Sequence, residues 1–234
     1  MFDTDKYAWL LWKILASIVF VSTMAFFISS HGIKIEFNLI EGKKINVELF
    51  RFLPDHFGAT LWFPSVAGEK RPELGDFRSI GDWRKTGVLE FVNPGEPVKL
   101  VISDSNQNVV YEAMPAGGYT STDTKRDLIR YEEGRNPFQF SWPPYNGKRF
   151  LFHFGFNKSQ ITILEVGKSL LGEKVTLYIQ PPVGFKHSSN ELFYRYLWFY
   201  HAWPMYVFIL LIFYLILIYR KSVIAKRLKV KIEG

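Results

Sequence analysis

The stretch WPMYVFILLIFYLILIY, residues 203–219, decides the architecture of this chain. It contains no charged residue and no glycine, and Arg220 and Lys221 follow it directly. A helix buried in a soluble protein normally keeps one polar stripe, whereas this stretch is apolar on every side. A helix of about 20 such residues can cross the hydrocarbon core of a bilayer, where every backbone group must be bonded internally. Residues 203–219 are therefore predicted to form a transmembrane helix.

A second apolar stretch, ILASIVFVSTMAFFISS, occupies residues 14–30 near the start of the chain. A cleaved signal peptide is the alternative interpretation. Cleavage needs two small residues at fixed positions, and the FISSH sequence at residues 27–31 does not supply them. The stretch is therefore predicted to remain attached as a first transmembrane helix.

The distribution of charge orients the two helices. Residues 220–234 carry six basic side chains against Glu233 alone, which accounts for most of the formal net charge of +7. Positively charged flanks stay in the cytoplasm, so both termini are placed inside and the middle of the chain outside. The predicted order is a short cytoplasmic N-terminus (1–13), helix 1 (14–30), an external domain (31–190), a connector with the interfacial start of helix 2 (191–202), helix 2 (203–219) and a basic cytoplasmic tail (220–234).

Aromatic and basic residues flank both apolar stretches. Indole rings and the long stems of Lys and Arg favour the headgroup region of a bilayer. Membrane lipids are thus an expected partner, with these residues as interface anchors: Trp9, Trp12, Lys13, Trp198, Trp203, Arg220 and Lys221. Nucleic acid is not expected, because the excess charge lies beside a span, where each Lys or Arg gains about 1 kcal/mol from anionic lipid.

The chain contains no cysteine. An external domain without disulfides must gain its stability from a hydrophobic core, and small eukaryotic ectodomains usually depend on disulfides. The composition therefore favours a bacterial inner membrane, with the external domain in the periplasm.

Alternation of apolar and polar residues dominates the middle of the chain and predicts about ten short strands. They are residues 33–39, 45–49, 60–63, 88–92, 98–102, 109–112, 138–142, 149–156, 161–166 and 174–179. Asn146-Gly147 predicts a tight hairpin between the strands at 138–142 and 149–156. The predicted fold is mainly β: an Ig-like or jelly-roll-like β-sandwich outside the cytoplasm, flanked by two transmembrane α-helices.

Two further expectations concern the interior of this domain. Phe150, Phe152, Phe154 and Phe156 alternate along one strand, and we expect all four rings to fill the core rather than form a stacking surface for a ligand. Residues 122–133, TDTKRDLIRYEE, are the best candidate for a helix outside the membrane, although the segment is short and could be a turn at the sheet edge.

Motifs for catalysis or metal binding are missing from the sequence. The five histidines lack the spacing of a zinc site, and neither a serine-nucleophile motif nor a phosphate-binding glycine loop occurs. We therefore predict no catalytic residues, no cofactor and no metal. The chain is not expected to be an enzyme.

The sequence GDFRSIGDWRK, residues 75–85, repeats a Gly-Asp-aromatic-Arg motif. Arginine and aromatic side chains often anchor protein interfaces, because they combine a large contact area with directed polar groups. The candidate partner-binding residues are Phe77, Arg78, Trp83, Arg84 and Lys85. The alternative is that the motif forms two similar turns whose aromatic rings pack into the core.

Residues 71–104, which include the strand PVKLVI at 97–102, resemble Ig-like β-sandwich domains of Gram-negative envelope proteins. Some proteins of that kind are immunity factors that bind interbacterial toxins in the periplasm. The resemblance implies a periplasmic protein-binding module that binds another envelope or secreted protein, and it assigns no site residue. One alternative is a structural subunit of a secretion or envelope complex, with Ala25 and Ser29 as a small-residue helix face. The other is an envelope enzyme of unrecognised type.

Overall fold

The structure, a computed structural model, describes residues 4–65, 70–79, 85, 87–119, 123–141, 149–184 and 201–233. The chain divides into two compact units, of which one comprises Met1–Ser30 with Val183–Gly234 and the other His31–Pro182. The first unit contains the long helices and the second contains the described strands. The chain is therefore mainly β, with a helix at each end.

Two long helices, α1 (Thr4–Ser29) and α2 (Trp203–Glu233), form the terminal unit. Both are long and apolar enough to cross a membrane, over Lys6–Ser29 and Trp203–Val223. Each helix is longer than the apolar stretch that predicted it, because α1 begins ten residues earlier and α2 continues through the basic tail. The helices run antiparallel, since Trp12 Nε1 donates to Leu210 O over 3.0 Å while the rings of Phe27 and Trp203 lie 5.7 Å apart.

The described strands number from β1 to β14 along the chain. Most coincide with the predicted strands, which confirms that the alternation of apolar and polar residues marks strands in this chain. Their bounds are β1 (Ile33–Asn38), β2 (Lys44–Arg51), β3 (Asp55–His56), β4 (Ala59–Pro64), β5 (Asp76–Ser79), β6 (Val88–Asn93), β7 (Val98–Ser103), β8 (Asn108–Ala113), β9 (Gly118–Tyr119), β10 (Asp123–Arg130), β11 (Gln139–Ser141), β12 (Leu151–Phe152), β13 (Gly155–Val166) and β14 (Lys174–Ile179).

The main sheet is antiparallel, in the order β1-β14-β4-β10-β8-β7-β13-β2, with β9 paired to β10. Strands β1 and β2 stand at opposite ends of this order but are joined by residues 39–43. In that connection Leu39 N donates to Glu173 O and Gly42 N donates to Ile163 O, both over 2.9 Å. The sheet is therefore nearly barrel-like. Two small sheets, β11-β6-β5 and β12-β3, accompany it.

The register defines two ends of the main sheet. We call the end where the chain enters from α1 the entry end, and it carries Ile33, Arg51, Ala59, Gly155 and Ile179, which follow from the pairs Ile33↔Ile179, Ala59↔Ile179 and Arg51↔Gly155. A hydrogen bond from Arg51 Nη2 to Gln180 O, 3.1 Å long, joins β2 to the residue after β14 at this end. We call the opposite end the far end, and it carries Asn38, Lys44, Pro64, Val98 and Val166.

The short β3–β12 ladder closes the entry end. Phe150 and Phe152 are buried there, with their rings 5.3 Å apart, and Phe57 N donates to Phe150 O. The ring of Phe57 lies 4.8 Å from that of Tyr111. These rings complete the core, which is otherwise formed by the inward-facing aliphatic side chains of the main sheet.

The predicted helix at residues 122–133 is wrong, because Asp123–Arg130 forms strand β10 between β4 and β8. Thr124, Arg126 and Leu128 face inward and are buried, so the segment has a period of two. The many charged residues suggested a helix surface. Pairing with two neighbouring strands decides the conformation instead.

The predicted hairpin at Asn146-Gly147 is also wrong, because the two strands that it would join have other neighbours. Strand β11 pairs with β6, and β12 pairs with β3, so the segments at 138–142 and 149–156 do not pair with each other in their described residues. The turn itself lies outside the residues that the structure describes.

The expected row of four core phenylalanines is correct for only two of them. Phe150 and Phe152 are buried, whereas Phe154 is 68% and Phe156 is 85% exposed. The alternation breaks because residues 153–154 form a bend between β12 and β13, and Gly155 has a φ of 96°. After this break the phenylalanines face outward.

Candidate binding surfaces

The segment that leads into the repeated motif is fixed at the far end by Arg71. Its guanidinium donates to both carboxylate oxygens of Glu173, over 2.7 and 2.8 Å, and to Glu73 over 2.6 Å. The hydrogen bond to Glu173 raises the pKa of Arg71 above its ordinary value. A bidentate pair of this kind adds geometric specificity as well as energy. Arg71 therefore ties residues 71–73 to the start of β14.

Two glycines bring the next residues into backbone contact with the β6–β7 turn. Gly75 and Gly95 have φ values of 78° and 73°. A Cβ added to Gly95 would lie 2.6 Å from the carbonyl carbon of Leu74, and one added to Gly75 would lie 2.7 Å from Gly95 N. Only glycine fits such an approach at positive φ. The backbones at residues 74–75 and 93–95 are thus locked together.

Arg126 of β10 is buried beneath this contact. Its guanidinium donates to Met114 O over 2.7 Å, to Glu96 O over 2.8 Å and to Ala113 O over 3.0 Å. Burial lowers the pKa of Arg126 to about 10, which leaves it protonated at neutral pH. A buried cation that satisfies several carbonyls is costly to remove, because each of them would lose its partner. Arg126 therefore holds the β6–β7 turn against the end of β8.

Phe77 is the predicted partner-binding residue that the structure describes best. It lies in β5 and is 38% exposed, its amide donates to Ala116 O over 3.0 Å, and its ring lies 5.5 Å from that of Phe91. The ring therefore packs partly on the protein and remains partly exposed to solvent. Lys85 is exposed, and Arg78 is described by its backbone in β5. Trp83 and Arg84 lie outside the described residues, so the structure places three of the five candidates: Phe77, Arg78 and Lys85.

A cleft of about 320 Å³ runs along the outer surface of β7, β8 and β13, where β6 and β11 also contribute to its lining. Lys99 and Glu165 form an ion pair of 2.7 Å in it, and Glu112 pairs with Arg135. The hydrogen bond to Glu165 raises the pKa of Lys99, and burial raises the pKa of Glu112. Each of these four charges thus has a partner of opposite sign. No cluster of three or more metal-ligating side chains occurs among the residues that the structure describes.

A smaller cavity of about 170 Å³ lies toward the entry end and is lined in part by Tyr111, Arg130, Glu132, Arg135 and Arg149. The Tyr111 hydroxyl accepts a hydrogen bond of 3.0 Å from Phe150 N. Burial raises the pKa of Tyr111 to about 12, so the hydroxyl stays neutral. Because Arg135 pairs with Glu112, the lining of this cavity sets Arg130 and Arg149 against Glu132 and is weakly basic.

The predicted membrane anchors of α1 contact α2. The rings of Trp9 and Trp12 lie 5.8 and 5.3 Å from that of Tyr214. These tryptophans therefore join the two helices. Lys13, Arg220 and Lys221 are exposed, Trp203 contacts Phe27, and Trp198 lies outside the described part of the chain.

The structure reveals polar residues that sequence reasoning missed. Arg126 occupies a core-facing position of its strand, between Thr124 and Leu128. The alternation that shows this position is meaningful only if the segment is a strand, and the sequence predicted a helix there. The pairing of Arg71 with Glu173 spans 102 residues and left no local signal.

Comparisons with known proteins leave the family open. No protein-family model matches the chain, and no curated protein matches it. A solved structure from Sulfurospirillum deleyianum is similar over 64% of this chain and 97% of its own, at 17% sequence identity and a TM-score of 0.37. This likeness is too low to support an inference about fold or function.

Proposed function

We propose that this chain is a two-pass protein of the bacterial inner membrane whose β domain lies in the periplasm and binds another protein there. The most specific form of this function is that of an immunity protein that neutralises a periplasm-acting toxin. The basic residues at 220–234 support this orientation, because positive flanks keep both termini in the cytoplasm.

The observation that carries the proposal is the preorganised surface at the far end of the sheet. Phe77 presents a partly exposed ring on a backbone that Arg71, Gly75, Gly95 and Arg126 hold in place. A rigid aromatic anchor loses little entropy on binding, which favours tight association with a protein. This end lies opposite the entry end of the sheet.

For the β domain we infer the Ig-like or jelly-roll-like sandwich. Strand β10 pairs with β4 up to Leu128 and with β8 from Leu128 onward. This change of neighbour divides the sheet into β1-β14-β4-β10 and β8-β7-β13-β2, which would be the two layers. A strand that passes from one layer to the other is a normal corner of such folds.

Two other functions have less support. A structural subunit of a secretion or envelope complex is expected to pack through Ala25 and Ser29, and both of these residues are buried, although other residues of α1 are exposed. An envelope enzyme would need ionisable groups available for chemistry, and the charges named in the larger cleft are paired with one another. Both observations favour a binding module.

A photo-crosslinking amino acid at position 77, in the full-length protein in cells of the source organism, tests the proposal. Leu171 is the matched control, because it is an exposed apolar residue near the far end but outside the repeated motif. We expect one discrete protein adduct from position 77 and none from position 171. Equal adducts at both positions, or none at position 77, would contradict the proposal.

A further inference from the structure

Four phenylalanines form a cluster at the entry end of the sheet: Phe50, Phe52, Phe154 and Phe156. Phe154 and Phe156 are exposed, and Phe50 and Phe52 are half-buried. Phe50 and Phe156 are paired across β2 and β13, with their rings 5.1 Å apart. The Phe154 ring lies 6.2 Å from that of Phe50 and 6.5 Å from that of Phe52. Large apolar rings that contact one another in water usually mark a docking surface.

The cluster is local to this end. On the same face of β2 and β13, the preceding cross-strand pairs are polar: Glu48 with Lys158, Asn46 with Gln160 and Lys44 with Thr162. Lys158 Nζ and a Glu48 carboxylate oxygen form an ion pair of 3.0 Å. The outer face therefore changes from polar to aromatic at its last pair.

Hydrogen bonds hold the turn that presents these rings. The Asn157 side chain accepts from His153 N over 2.8 Å and donates to His153 O and Gly155 O over 2.8 and 3.0 Å. Gly155 adopts a φ of 96°, which allows the sharp bend. Phe154 is thus held in an outward position by a specific local structure.

The covalent chain places a bilayer near this end if α1 spans it. Helix α1 ends at Ser29 and β1 begins at Ile33, so the connection can reach no further than about 14 Å. The headgroup region on each side of a bilayer is several ångströms thick, so the start of β1 is tethered within reach of lipid headgroups. Arg149 lines the cavity toward the same end, where Glu132 also lies, and a cation there suits anionic headgroups.

We propose that the cluster Phe50, Phe52, Phe154 and Phe156 inserts into the interfacial region of the membrane that holds α1 and α2. The occupant of this surface is the phospholipid bilayer itself. Phenylalanine rings on a membrane-bound surface are buried at the boundary between headgroups and acyl chains, and this burial would offset the cost of exposing them on the β domain. This inference rests on the proposed two-pass topology and adds a third contact between the chain and the membrane.

Lipid-dependent fluorescence quenching of the full-length protein in nanodiscs of phosphatidylethanolamine and phosphatidylglycerol tests this inference. Because the chain has no cysteine, single substitutions Phe156→Cys, Leu171→Cys and Ile216→Cys can each carry one environment-sensitive dye. The quenchers are lipids with a nitroxide, placed either near the headgroup or deep in the acyl chain. We expect loss of emission at position 156 with the shallow quencher, loss at 216 with the deep quencher, and no loss at 171.

The outcomes separate this inference from the proposed function. Quenching at 216 without quenching at 156 would overturn the membrane contact and leave the topology intact. Absence of quenching at 216 would overturn the two-pass topology. If emission at position 156 is lost only when two copies share a nanodisc, the phenylalanine cluster binds a second copy of the chain. That result would contradict our proposal.

A second pair of variants tests whether the cluster itself makes the contact. Phe154 and Val92 are similarly exposed, at 68% and 70%. With the dye at position 156, Phe154→Ser is expected to reduce the shallow quenching, whereas Val92→Ser should leave it unchanged. An equal effect of both substitutions, or of neither, would argue against insertion of the cluster.

Discussion

At the entry end of the sheet a closed aromatic core lies beside exposed phenylalanines, whereas at the far end buried charges and glycines lie beneath a partly exposed aromatic surface. Phe152 and Phe154 are two residues apart but lie on opposite sides of the core boundary. At the far end, by contrast, Gly95 and Arg126 hold backbone segments together: Gly95 allows the close approach to Leu74, and Arg126 donates to Glu96 O. This difference is the basis for our two proposals, that the entry end meets the bilayer and that the far end meets a protein partner.

The largest effect is expected from Phe152→Ala at the entry end. Removal of this buried ring leaves a cavity and should lower the free energy of unfolding by about 4 kcal/mol. Phe154→Ala, two residues away, removes an exposed ring and should change it by less than about 0.5 kcal/mol. Denaturant unfolding of the full-length variants in one detergent measures both. Similar losses of unfolding free energy in the two variants would show that Phe154 is as much a part of the core as Phe152.

Gly95→Ala tests the backbone contact at the far end. A Cβ there overlaps the backbone at residue 74 and also requires a strained φ, so we expect a loss of about 3 kcal/mol or failure to fold. Gly134→Ala is the matched control, since Gly134 has a φ of 76° with no atom within 4 Å of the added Cβ. Strain alone should cost the control about 1 kcal/mol. Equal unfolding midpoints for the two variants would show that the close backbone approach between Gly95 and Leu74 does not contribute to stability.

Arg126→Met should lower the free energy of unfolding by about 2 kcal/mol, because buried carbonyls lose their donor while the apolar stem is kept. Lys158→Met is the control at the other end, where the exposed ion pair with Glu48 should contribute little. Thermal unfolding of both variants in the same detergent measures the difference. A smaller loss for Arg126→Met than for Lys158→Met would show that the buried guanidinium does not hold the far end.

Phe77→Ala is expected to lower the free energy of unfolding by only about 1 kcal/mol, because part of its ring is already exposed. Its effect on partner binding should be larger, about tenfold in affinity, if Phe77 is an anchor of the interface. The comparison uses the adduct identified by crosslinking and a titration against each variant. Unchanged affinity would move the binding surface away from the repeated motif.

Much of the fold could be predicted from sequence because its signals are local. The two apolar stretches and the alternating segments, such as residues 45–49 and 98–102, each contain their own evidence. Residues 122–133 misled because a strand between two neighbours tolerates charges on its outward face, and only pairing reveals this. The row of phenylalanines misled because the bend at residues 153–154 resets the alternation.

The candidate surfaces were less predictable than the fold. The repeated motif pointed to Phe77, but the contacts that fix its backbone, from Arg71 to Glu173 and from Arg126 to Glu96, join residues far apart in sequence. The aromatic cluster depends on the register between β2 and β13, which places Phe50 beside Phe156. Neither arrangement has a local pattern.

The orientation of the β domain relative to the membrane is the central claim, and labelling of single cysteines with a membrane-impermeant maleimide tests it most directly. The experiment uses spheroplasts, whose inner membrane is intact, and the variants Lys168→Cys in the β domain and Lys229→Cys in the basic tail. We predict that position 168 reacts at once and that position 229 reacts only after lysis. Reaction at 229 with protection of 168 would place the β domain in the cytoplasm and contradict the account.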